Sequence, residues 1–124
     1  MSSRAPTEAA RGSRPSVYLS EEHELLRATV RSFFEANTSP KQVWEWDRQE
    51  SFPEPIWQGL AKLGILGLGL PQEYGGTPAD EFAMCIVVEE IARVGAFLLY
   101  AYLPTVSYCA KTVARFGTEE QKRA

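Results

Sequence analysis

The chain of 124 residues carries 13 basic and 16 acidic side chains and a formal net charge of -3, a balance that leaves nucleic acid or an anionic membrane no electrostatic footprint. A chain of this size suits one domain that buries on the order of two thirds of its unfolded surface. The longest apolar run, Val94 to Leu103, falls well short of the ~20 residues that span a bilayer and is followed by Pro104, so it reads as core and not as a membrane span.

Residues 1–16 supply Arg, Ser, Ala, Gly and Pro but no large apolar side chain between Ser2 and Ser16, and they are expected to form a disordered tail. Their Arg and Ser content faintly suggests an organelle transit peptide, but Pro6, Gly12 and Pro15 interrupt any amphipathic helix. Residues 17–124 are read as the folded domain. Ser20 is a good N-cap, followed by Glu21 and Glu22 where a helix dipole favours negative charge, and Leu26, Val30 and Phe33 recur at helical spacing. A first helix is expected from Ser20 to Ala36, stopped by Asn37 and Pro40. A short second helix fits Lys41 to Asp47, its Val43, Trp44 and Trp46 closing the edge of the core.

Phe52-Pro53-Glu54-Pro55 opens a third helix, because proline is tolerated in the first turn, and Ile56, Leu60 and Leu63 give it an apolar stripe. Gly64 suits the left-handed residue that ends it. Leu63-Gly64-Ile65-Leu66-Gly67-Leu68-Gly69-Leu70 then reads as a buried connection, closed by the turn chemistry of Pro71 and Gly75-Gly76. Thr77, Pro78 and Asp80 stand at the positions of a capping hydroxyl, a first-turn proline and an N3 acid. The helix that follows presents Met84, Val87, Val88, Ile91, Val94 and Leu98 to the core and leaves Glu89, Glu90 and Arg93 off it.

Ala96 to Phe116 is apolar nearly all round at first, then amphipathic with Val106, Cys109, Val113 and Phe116 inward, as expected of a central helix. Pro104 removes the hydrogen bond to the Tyr100 carbonyl, so it should kink this helix or start a new one. Gly117 ends it. Thr118-Glu119-Glu120-Gln121 is a capping box that announces another helix, yet only Lys122, Arg123 and Ala124 follow, and the expectation is of a larger protein continuing beyond Ala124. No run has strand period and no internal repeat appears. The fold class is all-α, a multi-helix bundle.

Chemistry-bearing motifs are sparse. His23 is the only histidine and reads as a solvated residue at a helix start. Glu89 and Glu90 are adjacent on a helix, about 100° apart, and so read as solvated or interface groups and not as an acid-base pair. Cys85 and Cys109 sit among apolar neighbours without a secretory signal, which points to reduced, buried thiols in a cytoplasmic protein. The glycine strip follows a helix and lacks the GxGxxG spacing of a dinucleotide fingerprint. Nothing offers metal-ligand spacing.

Asp47-Arg48, Phe52-Pro53, Leu63-Gly64, Tyr74-Gly75-Gly76, Glu89-Glu90-Ile91-Ala92 and Phe116-Gly117-Thr118-Glu119-Glu120-Gln121, in that order, make Leu19 to Ala124 resemble the N-terminal helical domain of acyl-CoA dehydrogenases. The resemblance implies a flavoenzyme of three parts. A carboxylate removes the α-proton of an acyl-CoA thioester, the β-hydride passes to FAD to leave a trans-2-enoyl-CoA, and an electron-transfer flavoprotein takes the electrons. It implies a domain truncated before the β-domain, a homo- or hetero-oligomer completed by the remainder of the enzyme or a partner subunit, and a general base and most FAD contacts outside this chain, with no catalytic residue within it. In the family the two central helices of this domain wall the acyl end of the substrate pocket. The matching stretch is Phe97 to Leu103, with Leu99, Tyr100 and Leu103 as candidate pocket residues, or else ordinary core residues. Pro104 departs from a continuous helix and bears on which acyl groups fit. Two other readings share the fold: a related flavin monooxygenase or nitroalkane oxidase, and a non-catalytic helical interaction module.

Overall fold

The computed structural model describes residues 18–124, and the expected tail at residues 1–16 lies outside them. Among the described residues no strand forms and the architecture is all-α, as the periodicity predicts.

Helix α1 (Glu21–Asn37) begins on a reciprocal cap. The Ser20 side chain accepts the His23 N–H, and the His23 ring accepts the Ser20 N–H at 3.1 Å. The imidazole thus stands where a glutamate or glutamine completes the usual box. Its Nε2 lies 2.9 Å from Asp80, and only 14% of the side chain is exposed. The expected solvated histidine is instead pinned between two helix starts. Helix α2 (Pro40–Arg48) follows at once, capped by Ser39. Its tryptophans divide: Trp46 sits edge-on to Phe97 at the core margin, whereas Trp44 is exposed with the Arg48 guanidinium over its ring. Helix α3 (Glu54–Lys62) buries Ile56 and Leu60. Gly59 lets it approach α1 closely, since a Cβ there would overlap the Phe33 ring.

Gly64 has a left-handed φ of 75°, as the end of α3 requires. The strip beyond it runs through two short 3₁₀ turns, Ile65–Gly67 and Gln72–Tyr74, with Ile65 and Leu68 buried. It folds back on itself: the Gly69 N–H donates to the Thr77 carbonyl at 2.8 Å and the Thr77 N–H to the Gly67 carbonyl at 2.9 Å. Gly76 passes so near the Leu70 backbone that a Cβ would overlap it.

With Thr77 committed to that pairing, helix α4 (Glu81–Val94) starts later than its sequence suggests. Its cap is Asp80, which accepts the Ala83 N–H at 2.9 Å. Helix α4 packs along α1, with Met84, Val87 and Ile91 buried against Val30 and Phe34, whereas Val88 and Val94 are only half-buried. Glu90, expected off the core, is 2% exposed. Gly95 breaks the chain in an extended conformation before α5 (Ala96–Tyr102).

Pro104 neither ends nor restarts the central helix. The Leu103 N–H closes an α-type bond to the Leu99 carbonyl, the next residue has no N–H to continue that ladder, and Leu103–Ala110 proceeds as a π-helix before α6 (Lys111–Phe116). The wider turn accommodates an extra residue and sets the following helix back by about 100°. In an unbroken α-helix Cys109, Val113 and Phe116 would come round to within about 60° of buried Leu98. Instead all three are exposed, and Ala110, Ala114 and Gly117, each one residue later, take the half-buried positions. The core expected at Cys109, Val113 and Phe116 is therefore displaced by one residue. Cys85 is exposed too, so neither thiol is buried as expected.

Leu98 and Tyr102 ahead of the π segment, and Val106 within it, are buried. The Tyr102 hydroxyl donates to the Ile65 carbonyl at 3.2 Å, tying the central helix to the glycine strip, and burial pushes its pKa up to about 12. The short helix α7 (Glu119–Arg123) forms with Thr118 and Gln121 in a full capping box. It has a support that its sequence does not reveal: the Tyr74 hydroxyl donates to both Glu119 carboxylate oxygens, at 3.0 and 2.9 Å, and Lys122 and Arg123 lie over the Tyr74 ring. That bond holds the Glu119 carboxyl below its ordinary range and raises the Tyr74 phenol.

Candidate functional site

The three pocket candidates lie along one turn of the central helix, each in a different environment. Leu99 is half-buried and packs against the core, Leu103 is half-buried at the start of the π segment, and Tyr100 is 75% exposed. Round the helix they run from Leu99 on the core side through Leu103 to the open ring of Tyr100 at the outer edge. Tyr108 and Phe116 are also exposed farther along the same helix. An exposed apolar surface of this kind marks a place where something else packs.

None of the three lines the cleft of about 620 Å³ that opens between the end of α1, helix α2 and the α4–α5 junction, with Phe34, Trp44 and Phe97 among its apolar walls and Arg31, Glu90 and Arg93 among its polar ones. Arg31 donates through Nη2 and Nε to the two Glu90 oxygens at 2.6 and 2.9 Å, and Arg27 reaches Glu89 at 2.7 Å and Glu90 at 3.4 Å. The hydrogen bond to Glu90 raises the Arg31 pKa above its ordinary value. A buried carboxylate with both oxygens held by guanidinium groups acts as a clamp between α1 and α4. A smaller recess, about 340 Å³, lies between the end of the glycine strip and the π segment, lined by Leu70, Pro71, Tyr74, Thr105, Cys109 and Val113 among others.

The clamp is what sequence reasoning missed. Its signal was the i, i+4 pair Arg27 and Arg31 on the face of α1 that also carries buried Val30 and Phe34, since charges beside a core face call for buried partners. Among the described residues no group of three or more His, Cys, Asp or Glu is arranged to hold a metal ion, and no helix is long and apolar enough to cross a membrane.

Comparison with known proteins gives this arrangement a family. Residues 20–124 match the model of the acyl-CoA dehydrogenase N-terminal domain. The chain is 35% identical over 105 residues to the probable acyl-CoA dehydrogenase YdiO of Escherichia coli, a match covering 85% of this chain and 27% of that protein. It is 36% identical over 105 residues to the acyl-CoA dehydrogenase FadE12 of Mycobacterium tuberculosis, covering 84% of this chain and 26% of the relative. Among solved structures, one described as an electron transferring flavoprotein of Acidaminococcus fermentans, studied for flavin-based electron bifurcation, superposes with a TM-score of 0.77 at 28% identity. That likeness covers 87% of this chain and 28% of the other. The chain thus spans about a quarter of the length of the relatives it matches, and the part it spans is their helical N-terminal domain. This chain belongs to the acyl-CoA dehydrogenase family.

Proposed function

We propose that this domain serves a flavin-dependent enzyme that dehydrogenates an acyl-CoA thioester at its α and β carbons, giving the trans-2-enoyl-CoA. The observation that carries the reading is the match of residues 20–124 to the family's N-terminal domain. In this reading the domain contributes shape. Leu99, Tyr100 and Leu103 form one wall of the acyl pocket, and the exposed ring of Tyr100 is the group with most surface free to meet a substrate chain.

Among the described residues every buried side-chain nitrogen and oxygen already has a partner, so none waits for a cofactor's ring edge or phosphates. The FAD contacts and the general base are assigned to the rest of the enzyme, and an electron-transfer flavoprotein is the expected oxidant of the reduced cofactor. What this chain's residues do is exclude water from one side of the acyl chain and orient it, which contributes through positioning.

The test uses the complete protein that carries this domain. After desalting it should retain the visible absorbance of oxidised flavin, and an acyl-CoA should bleach it with release of the enoyl-CoA, whereas the 124-residue chain alone should do neither. A colourless complete protein, as a non-catalytic interaction module would be, sinks the reading. So does a flavin bleached by nitroalkanes, or turned over only with oxygen insertion, while acyl-CoA thioesters leave it unchanged.

A further inference from the structure

The turn that follows α2 gathers three aromatic rings and two carboxylates round one recess of about 300 Å³, lined by Trp46, Asp47, Glu50, Ser51, Phe52 and Phe97. Its rings are braced by other rings. Trp46 and Phe97 meet at 67° with their centroids 6.5 Å apart, and Phe52 stands edge-on to Trp57 at 5.5 Å. The backbone that assembles them closes as a helix cap: the Ser51 N–H donates to the Trp46 carbonyl at 3.0 Å and the Glu50 N–H to the Asp47 carbonyl at 3.2 Å.

The fold itself gives neither acid a reason to be there. Asp47 lies in the last turn of α2, where the helix dipole disfavours an anion. Glu50 takes the left-handed position of the cap, with a φ of 52°, which favours glycine. Among the described residues neither side chain makes a hydrogen bond or an ion pair, and the neighbouring Arg48 guanidinium lies over the Trp44 ring instead. In the adjoining cleft Arg31 and Arg93 are turned towards Glu90. Two unpaired carboxylates beside apolar rings suit a group that is both cationic and clad in carbon.

We propose that this recess binds an alkylammonium group, with its carbons against Trp46, Phe52 and Phe97 and its charge shared by Asp47 and Glu50. Asp47 and Phe97 also line the cleft of about 620 Å³, so the two concavities adjoin and the body of the ligand extends past Phe97 towards Val43 and Trp44. Such a group is carried by a small organic cation or by a lysine side chain of polypeptide laid along the groove. Leu99, Tyr100 and Leu103 line neither concavity, so the site stands independently of the acyl-CoA reading.

The test uses the complete protein and two probes of one shape: choline, and 3,3-dimethylbutan-1-ol, in which carbon replaces the charged nitrogen. Read by saturation transfer to the probes' methyl protons, choline should bind at least about tenfold more tightly than the alcohol. Glu50→Gly supplies the residue that the left-handed turn favours, so it should fold at least as stably as wild type while weakening choline by about fivefold. Asp47→Asn should weaken it to a similar degree. Equal affinities for the two probes overturn the cationic reading, as does choline binding that both variants leave unchanged. The second arm is a carbodiimide, which joins carboxylates to amines already in contact with them. An amide between Asp47 or Glu50 and a lysine outside this domain, in a protein that does not bind choline, assigns the recess to a lysine side chain. Absence of both choline binding and such an amide overturns the proposal.

Discussion

The seam between α1 and α4 and the central helix from Ala96 to Phe116 solve the same problem, joining helices across a core, by opposite means. The seam is polar at both ends. His23 meets Asp80 where the two helices begin, and Arg27 and Arg31 grip Glu90 one to three turns farther along, with Val30 and Val87 buried between and Ile91 buried beside the clamp. The central helix is held mainly by apolar packing, with the Tyr102 hydroxyl and the Lys111–Glu81 pair as its polar ties to other elements, and its π segment begins beside a proline. Packing is tolerant of a one-residue slip because apolar contacts are non-directional. A charged clamp is not, since the cost of an unpaired buried charge recurs at any other register. The seam fixes alignment, and the central helix is free to be re-registered.

Removing one side of the clamp should give the largest effect. Glu90→Ala strands Arg31 and Arg27 without their shared acceptor. Loss of a buried ion-pair partner costs about 3 to 5 kcal/mol when both groups are fully buried, and the 39% exposure of Arg31 brings the expected loss to about 2 to 3 kcal/mol. Glu89→Ala, which removes a 53% exposed partner of Arg27, should cost less than about 0.5 kcal/mol. Urea midpoints for the two variants check this, with unchanged m-values showing that stability alone has moved. Equal losses would erase the contrast between buried clamp and surface pair.

The central helix gives a smaller, differently shaped response. Tyr102→Phe keeps the ring in the core and leaves the Ile65 carbonyl without its donor, at about 1 to 2 kcal/mol. The pH dependence follows from the raised phenol. The folded pKa, about 12, exceeds the ordinary 10.0, so the neutral hydroxyl's contribution is fully present below pH 10 and is lost as the pH rises from 10 towards 12. Wild-type stability should decline through that window and Tyr102→Phe should lack that step. A variant with the same alkaline limb as wild type would show that the hydroxyl contributes nothing there.

Much of this fold was legible because it is local. Ser20 and Thr118 cap the helices they precede, Gly64 takes the left-handed turn, and Val30, Ile56 and Leu60 face inward as expected, whereas Leu63, expected on the same stripe as Ile56 and Leu60, is exposed just past the end of α3. Caps and stripes depend on residues within a turn or two of each other. What escaped depends on distance or on register. Glu90 reads as a surface charge until α1 brings two arginines to it across 59 and more positions of sequence. His23 reads as solvated until Asp80 arrives from 57 residues away. Cys109, Val113 and Phe116 read as core because a 3.6-residue period was carried through a proline that resets the phase. At the candidate wall, the helix and its apolar character were legible, but the outward turn of Tyr100 and the inward turn of Tyr102 were not, since both are tyrosines in an apolar run.

The far end of the seam offers the mildest test. Asp80 caps α4 and also faces His23, and its carboxyl is held below its ordinary pKa first by the Ala83 N–H and then by the His23 side chain. The Ser20 N–H can only donate, so His23 Nδ1 is its acceptor and the ring's other nitrogen carries the proton towards Asp80. A depressed carboxyl stabilises the fold above its unfolded pKa, and that contribution is lost as the pH falls through the folded value, here below 3.8. Asp80→Asn separates cap from charge, because asparagine caps a helix about as well as aspartate. The variant should lose less stability at neutral pH than Tyr102→Phe does, and it should match wild type once the pH is low enough to protonate Asp80. A variant that remained weaker than wild type by the same margin at every pH would assign the whole effect to cap geometry. Convergence in acid shows instead that both ends of the α1–α4 seam are held by charge.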